Sequence, residues 1–199
     1  MIPTLPLRAR NRLAETILSA LADAEARGTL EALASGAAPG DWAEPADGAD
    51  ASLLRLRARR AAEALRDRPV IAASTRAAVL EAAALLFDAG LGFEVHELLE
   101  PHWARADGDE RETLQGLIQI AVGYQHLANG NTRGARALLD EGSARLAGRR
   151  LDDLDLEPFR TAVVASAARL PDLPPEAIPC FPRRGGGPNG ASSGGHEAA

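Results

Sequence analysis

The chain has 199 residues, 46% hydrophobic and 25% charged, which suits one globular domain with a continuous core and leaves two full domains cramped. Its 28 acidic groups outnumber 22 basic ones for a net charge of −6, and every basic residue is Arg. The missing Lys excludes Schiff-base catalysis, pyridoxal phosphate attachment and a Walker-type phosphate lysine, and the acidic balance makes nucleic acid an unlikely partner, because phosphate contacts need a clustered positive surface.

Residues 1–13 scatter Pro and Arg without an apolar stretch, which argues against a signal peptide. A first helix is predicted over residues 8–27, where Leu13, Ile17, Leu21 and Ala24 recur at helical spacing and Gly28 supplies a stop. Residues 35–50 are rich in Ala, Gly, Pro and Asp and read as a loop or linker, with Trp42 as the side chain able to pin it. The next helix, residues 52–68, sets Arg55, Arg57, Arg59, Arg60, Arg66 and Arg68 against Glu63 and Asp67. These Arg residues spread around the wheel rather than forming one stripe, so the helix reads as a solvated, Arg-flanked one that ends at Pro69.

Ser74 is placed to cap a helix running to Asp88, and the run Ala89-Gly90-Leu91-Gly92 breaks it. A helix over residues 93–106 follows, then a nearly all-round apolar helix over residues 111–128, with Asp109 and Glu112 as a capping pair. Asn131 or Thr132 caps the next helix, which reaches residue 147, and a last helix opens at Pro158 and ends near residue 170. Repeated Pro beyond residue 171 disfavours more helix, and residues 183–199 have little to bury and read as a disordered tail, which leaves His196 without a role.

The expected architecture is therefore an all-α, single-domain helical bundle of about six helices. Residues 1–70 supply N-terminal helices and a linker packed on the core, residues 71–170 the helical core, and residues 171–199 a Pro-rich and then Gly/Ser-rich tail. No apolar run approaches the roughly 20 residues needed to cross a bilayer. Cys180 is the one cysteine, so no disulfide forms within the chain, and a reducing cytoplasm is the expected location.

Chemistry, if any, belongs between positions 96 and 126, which hold three of the four His residues. On a wheel, Phe93, His96, Glu100 and Trp103 fall within about 80° of one another, while Glu94, Glu97 and His102 point elsewhere. On the following helix Gln115, Gln119 and His126 share a stripe about 40° wide. Unpaired buried polar groups cost roughly 1–3 kcal/mol, so the stripe is expected to face His96 and Glu100 on an antiparallel neighbour. On that basis His96→Ala and Glu100→Ala should each cost roughly 1–3 kcal/mol of stability. Gly116 and Gly123, on another side, leave a groove for close approach of a helix.

Three blocks carry a family resemblance: His96-Glu97-Leu98-Leu99-Glu100-Pro101-His102-Trp103, then Gln115-Gly116-Leu117-Ile118-Gln119 with His126, then Gly130-Asn131-Thr132-Arg133-Gly134-Ala135. Over about residues 87–159 the chain resembles the domain-of-unknown-function family numbered 309, which carries a His-Glu-x-x-Glu-x-x-Trp motif. The resemblance implies an all-helical bundle and brings no activity with it. Pro101 departs from good helix chemistry and should kink its helix, freeing the carbonyl of Glu97.

Several readings fit the cluster of His96, Glu100, Trp103, Gln115, Gln119 and His126. The leading one is a non-enzymatic binding or structural module, with the cluster as a buried network or the lining of a site for a small molecule or protein partner, walled by Phe93 and Trp103. The alternative is a metal-dependent hydrolase in which His96, Glu100 and His126 hold Zn, Mn or Fe and Glu97 is the catalytic base. Metal-free acid–base chemistry lacks a nucleophile: Ser74 and Ser143 lie on other elements, and Cys180 reads as an incidental residue of a Pro-rich segment.

Overall fold

A single carboxylate divides the first predicted helix in two. The computed structural model describes residues 4–37, 48–70 and 74–184. Where one helix was expected over residues 8–27, the chain forms α1 (Leu7–Ser19) and α2 (Ala24–Ser35). Asp23 caps α2 by accepting a 2.8 Å hydrogen bond from the Glu25 N–H. The intended stop, Gly28, lies inside α2, which ends instead at Gly36 with φ of +88°, a conformation that costs glycine little. The predicted loop around Trp42 falls largely outside the described residues.

The Arg-rich segment forms α3 (Gly48–Leu65), held by an apolar face of Leu54, Ala58, Ala61 and Leu65. Next comes α4 (Arg76–Asp88), capped by Thr75 rather than Ser74, whose neighbour's hydroxyl accepts from the Ala78 N–H at 3.2 Å. The paired central helices are α5 (Gly92–Arg105), which continues through Pro101, and α6 (Gly108–Ala128), which starts earlier than expected. Asp109 and Glu112 form no capping pair; they hold Arg149 and Arg145 instead. The Asn131 side chain caps α7 (Thr132–Leu146), accepting from the Gly134 N–H. A two-residue hairpin, β1 (Arg150–Leu151) with β2 (Leu154–Asp155), was not anticipated; it leads to α8 (Glu157–Ala167), which has Pro158 in its first turn.

The described residues thus make an all-α bundle of eight helices with one very small sheet, against about six expected, the segment over residues 8–27 supplying two of them. Glycines set the spacing at its centre. A Cβ on Gly92 would lie 2.3 Å from the Ala121 carbonyl oxygen, so α5 meets α6 backbone to backbone. Across α6, α7 occupies the Gly116–Gly123 groove: a Cβ on Gly116 would lie 2.8 Å from Leu146 Cδ2, and one on Gly142 would lie 2.8 Å from the Gly116 carbonyl oxygen. Helix α1 rests on α5, and α3 on α2 and α4, so the N-terminal helices share the core of the central pair.

After α8 the chain folds back over the bundle. Pro175–Ala177 form one 3-10 turn, and Leu173 and Phe181 are buried. Phe181 joins an aromatic group with Phe87 and Phe159, at centroid separations of 5.2 and 5.7 Å. The Asp88 carboxylate accepts from the Phe181 N–H at 2.9 Å and pairs with Arg183 at 2.6 Å, while Arg184 pairs with Asp152 at 3.0 Å. Residues 183 and 184, assigned to a disordered tail from sequence, are therefore anchored; residues 185–199, with His196, lie outside the described set. No helix among the described residues is long and apolar enough to cross a membrane.

Candidate functional site

The inward face of α5 is set by Gly92, Val95 and Leu99, all buried. Trp103 and His96 sit roughly 50–70° from the middle of that face and are half-buried; Glu100, about 110° away, is exposed. His96 Nδ1 lies 3.0 Å from Glu97 Oε1 on its own helix. Trp103 supports the Arg111 guanidinium 3.9 Å from its ring centroid, and Phe93 supports that of Arg10 at 4.2 Å. The α5 motif thus forms a half-covered flank rather than a buried face.

The polar stripe of α6 turns toward α7, not α5. Gln119 donates to Glu141 and accepts from Arg145, both at 3.0 Å and both residues on α7. The His126 Nδ1 accepts from the Asn131 amide at 2.8 Å, in the turn before α7, and half-buried Gln115 makes no side-chain hydrogen bond among the described residues. The physical reason lies in the small residues. Ala121 lets Gly92 approach, and the stripe lies about 140° around α6 from Ala121, beside the glycine groove that α7 fills. The expected single network of His96, Glu100, Gln115, Gln119 and His126 is therefore divided between two helix faces. Among the described residues, the metal-competent group that does converge is His96, Glu97 and Glu100, with one ligand atom of each within 4.8 Å of the others. His126 is not part of it, and Glu97, the candidate base, is.

The deeply buried charge lies elsewhere. Glu94, read as pointing away from the core, is 0% exposed, and Arg57, read as solvated, is 11% exposed at the side chain. Arg57 Nη2 donates to both Glu94 oxygens at 2.7 and 2.8 Å, and its Nη1 donates to Gln125 Oε1 at 3.3 Å. Gln125 passes the network on, donating to Asn129 Oδ1 at 3.1 Å, while Arg57 Nε is buried without a partner. A signal for Arg57 existed: it lies about 60° from the middle of the Leu54, Ala58, Ala61, Leu65 face on the wheel. Glu94 gave none, because its partner Arg57 lies 37 residues away on α3.

Beside this network opens a cleft of about 570 Å³. Its walls come from the α4–α5 turn, the second half of α6 and the returning segment of residues 171–180. Phe87, Ala121, Leu173 and Ile178 make much of the lining apolar, and Cys180, exposed, stands at its wall. The Tyr124 ring also lines it. Burial pushes the Tyr124 hydroxyl up to about 12 from an ordinary 10.0. Ser166 Oγ donates to the Val163 carbonyl, so the phenol is the donor of the 2.5 Å contact with Ser166. Arg60 reaches the cleft from α3 and makes no hydrogen bond or ion pair among the described residues.

The fold and the site define a class: an all-helical bundle in which a His-Glu-x-x-Glu helix pairs with a Gln-Gly-Leu-Ile-Gln helix and a cleft opens at the end of that pair. Residues 80–138, which include all three sequence blocks, match the family described as domain of unknown function (DUF309). Searches of curated proteins and of solved structures gave no match.

Proposed function

We propose that the protein is a non-enzymatic, cytoplasmic binding module whose site is the cleft beside α6. The observation that carries this reading is the cleft itself. Its volume of about 570 Å³ falls among those of small-molecule sites, and it combines apolar walls with a few polar groups. The test uses the single thiol. A bulky maleimide reacts with Cys180, and a molecule seated in the cleft slows that reaction saturably and raises the melting temperature. Ala128→Trp, at an exposed position lining the cleft, should abolish both effects. If no neutral, anionic or cationic apolar probe protects Cys180, the reading fails.

A second reading, a metal-dependent hydrolase, draws support from the convergence of His96, Glu97 and Glu100 within 4.8 Å. One imidazole with two carboxylates suits Zn, Mn or Fe. Glu97 would then be a ligand, so the base would have to come from another group or from the bound water itself.

A further inference from the structure

We infer that the cleft takes a carboxylate-bearing ligand with an apolar body, the carboxylate paired with Arg60; the inference rests on the cleft being the binding site. Arg60 and Gln125 both stand beside the α4–α5 turn. Arg60 Nη1 lies 3.2 Å from where a Cβ on Gly90 would stand, and Gln125 Cβ lies 3.3 Å from that of Gly92, two residues on. The other charges near that turn are already matched. Arg57 is held by Glu94, and Asp88 by Arg183 and the Phe181 N–H. Among the described residues lining the cleft, what remains is one positive charge, that of Arg60, beside a mostly apolar space.

The groups beside that turn have matching hydrogen-bond capacity. Gln125 spends its carbonyl on Arg57 and one amide hydrogen on Asn129, which leaves its second amide hydrogen unused. A guanidinium presents two parallel N–H groups to a carboxylate, and the Gln125 amide can add a third. From there an apolar body runs along Ala121 and the Tyr124 ring toward Leu173 and Ile178. A cationic head would meet Arg60 unfavourably, and a neutral head would gain nothing from its charge.

The experiment uses the full chain, with decanoate, decanol and decylamine as probes below their aggregation concentrations. Binding is read by calorimetry and by protection of Cys180 from alkylation. Decanoate should bind at least tenfold more tightly than decanol or decylamine, and Arg60→Gln should bring decanoate to within threefold of decanol. Arg60 is exposed, and an unchanged melting temperature of the variant verifies its fold. If decanol binds as tightly as decanoate, or if Arg60→Gln leaves decanoate affinity unchanged, the carboxylate inference is overturned while the cleft reading stands. If no probe protects Cys180, the cleft reading fails and takes the inference with it.

Discussion

Replacing Glu94 by Leu tests the buried ion pair that joins α3 to α5. Glu94 is 0% exposed and receives two hydrogen bonds from Arg57, whose side chain is 11% exposed. Truncating one partner leaves the other charge buried alone, which costs about 3–5 kcal/mol where pairs are this well covered. For a chain of this length each kcal/mol moves the melting temperature by about 2–4 °C, so Glu94→Leu should lower it by roughly 6–20 °C. The partner change supplies the control. In the Glu94→Leu background, Arg57→Met removes the stranded guanidinium and should recover most of the loss, because a packed apolar pair often matches a buried ion pair. Guanidinium titrations followed by helical circular dichroism on the parent, both single variants and the double variant close the cycle. A Glu94→Leu protein within about 1 kcal/mol of the parent, or single effects that simply add, would refute the reasoning.

On the same helix, Glu100→Ala should change stability by less than about 0.5 kcal/mol, since its carboxylate is exposed; a loss of 1–3 kcal/mol would restore the buried network expected from sequence. Gly28→Ala should stabilise by about 0.5–1 kcal/mol, because a Cβ there meets nothing within 4 Å in a helix interior, whereas Gly142→Ala should destabilise by about 1–3 kcal/mol against the Gly116 carbonyl; chemical denaturation that reversed this order would contradict the α6–α7 contact. Tyr124 is the chain's one tyrosine, so its ionisation can be read directly as tyrosinate absorbance. Its hydroxyl is raised to about 12, so its contribution to stability is whole below pH 10.0 and declines as pH climbs from there through about 12. Absorbance rising near pH 10 with helical ellipticity retained would count against its burial. For the hydrolase reading, protein purified without a chelating tag should carry stoichiometric metal that His96→Ala removes, with a melting temperature that falls in EDTA; metal-free protein with an EDTA-insensitive melt would exclude a resident ion at His96, Glu97 and Glu100.

Helix content was legible because Leu and Ala recur at helical spacing and turn chemistry marks most boundaries. Of the two candidate caps, Asn131 and Thr132, Asn131 is the cap; Gly28, the expected stop, lies inside α2, which the Asp23 cap opens and Gly36 closes. The difference at the site has one physical cause. A wheel reports which side chains share a face but not which neighbour that face meets, and the neighbour is chosen where backbones approach most closely. Gly92 against Ala121 fixes α5 on α6, and Gly116 against Gly142 fixes α7. The stripe of Gln115, Gln119 and His126 falls beside the second contact, while Glu94 becomes buried through a long-range meeting with Arg57 that no local pattern announces.

On the proposed reading of the cleft, the matched family segment alone would be an incomplete binding unit. Residues 80–138 supply its floor, through Phe87, Gly92, Ala121, Tyr124 and Gln125. The free charge comes from Arg60 on α3, and the opposite wall from Pro171 to Cys180, both outside that segment. Gln125 joins the parts, since one side chain both lines the cleft and accepts from Arg57, three residues from Arg60 on the same helix. Loss of the Arg57–Glu94 pair should therefore loosen α3 and displace Arg60, weakening a carboxylate ligand more than a neutral one at temperatures where the bundle remains folded. An equal loss for decanoate and decanol in Glu94→Leu would show that the pair supports the fold without positioning the charge.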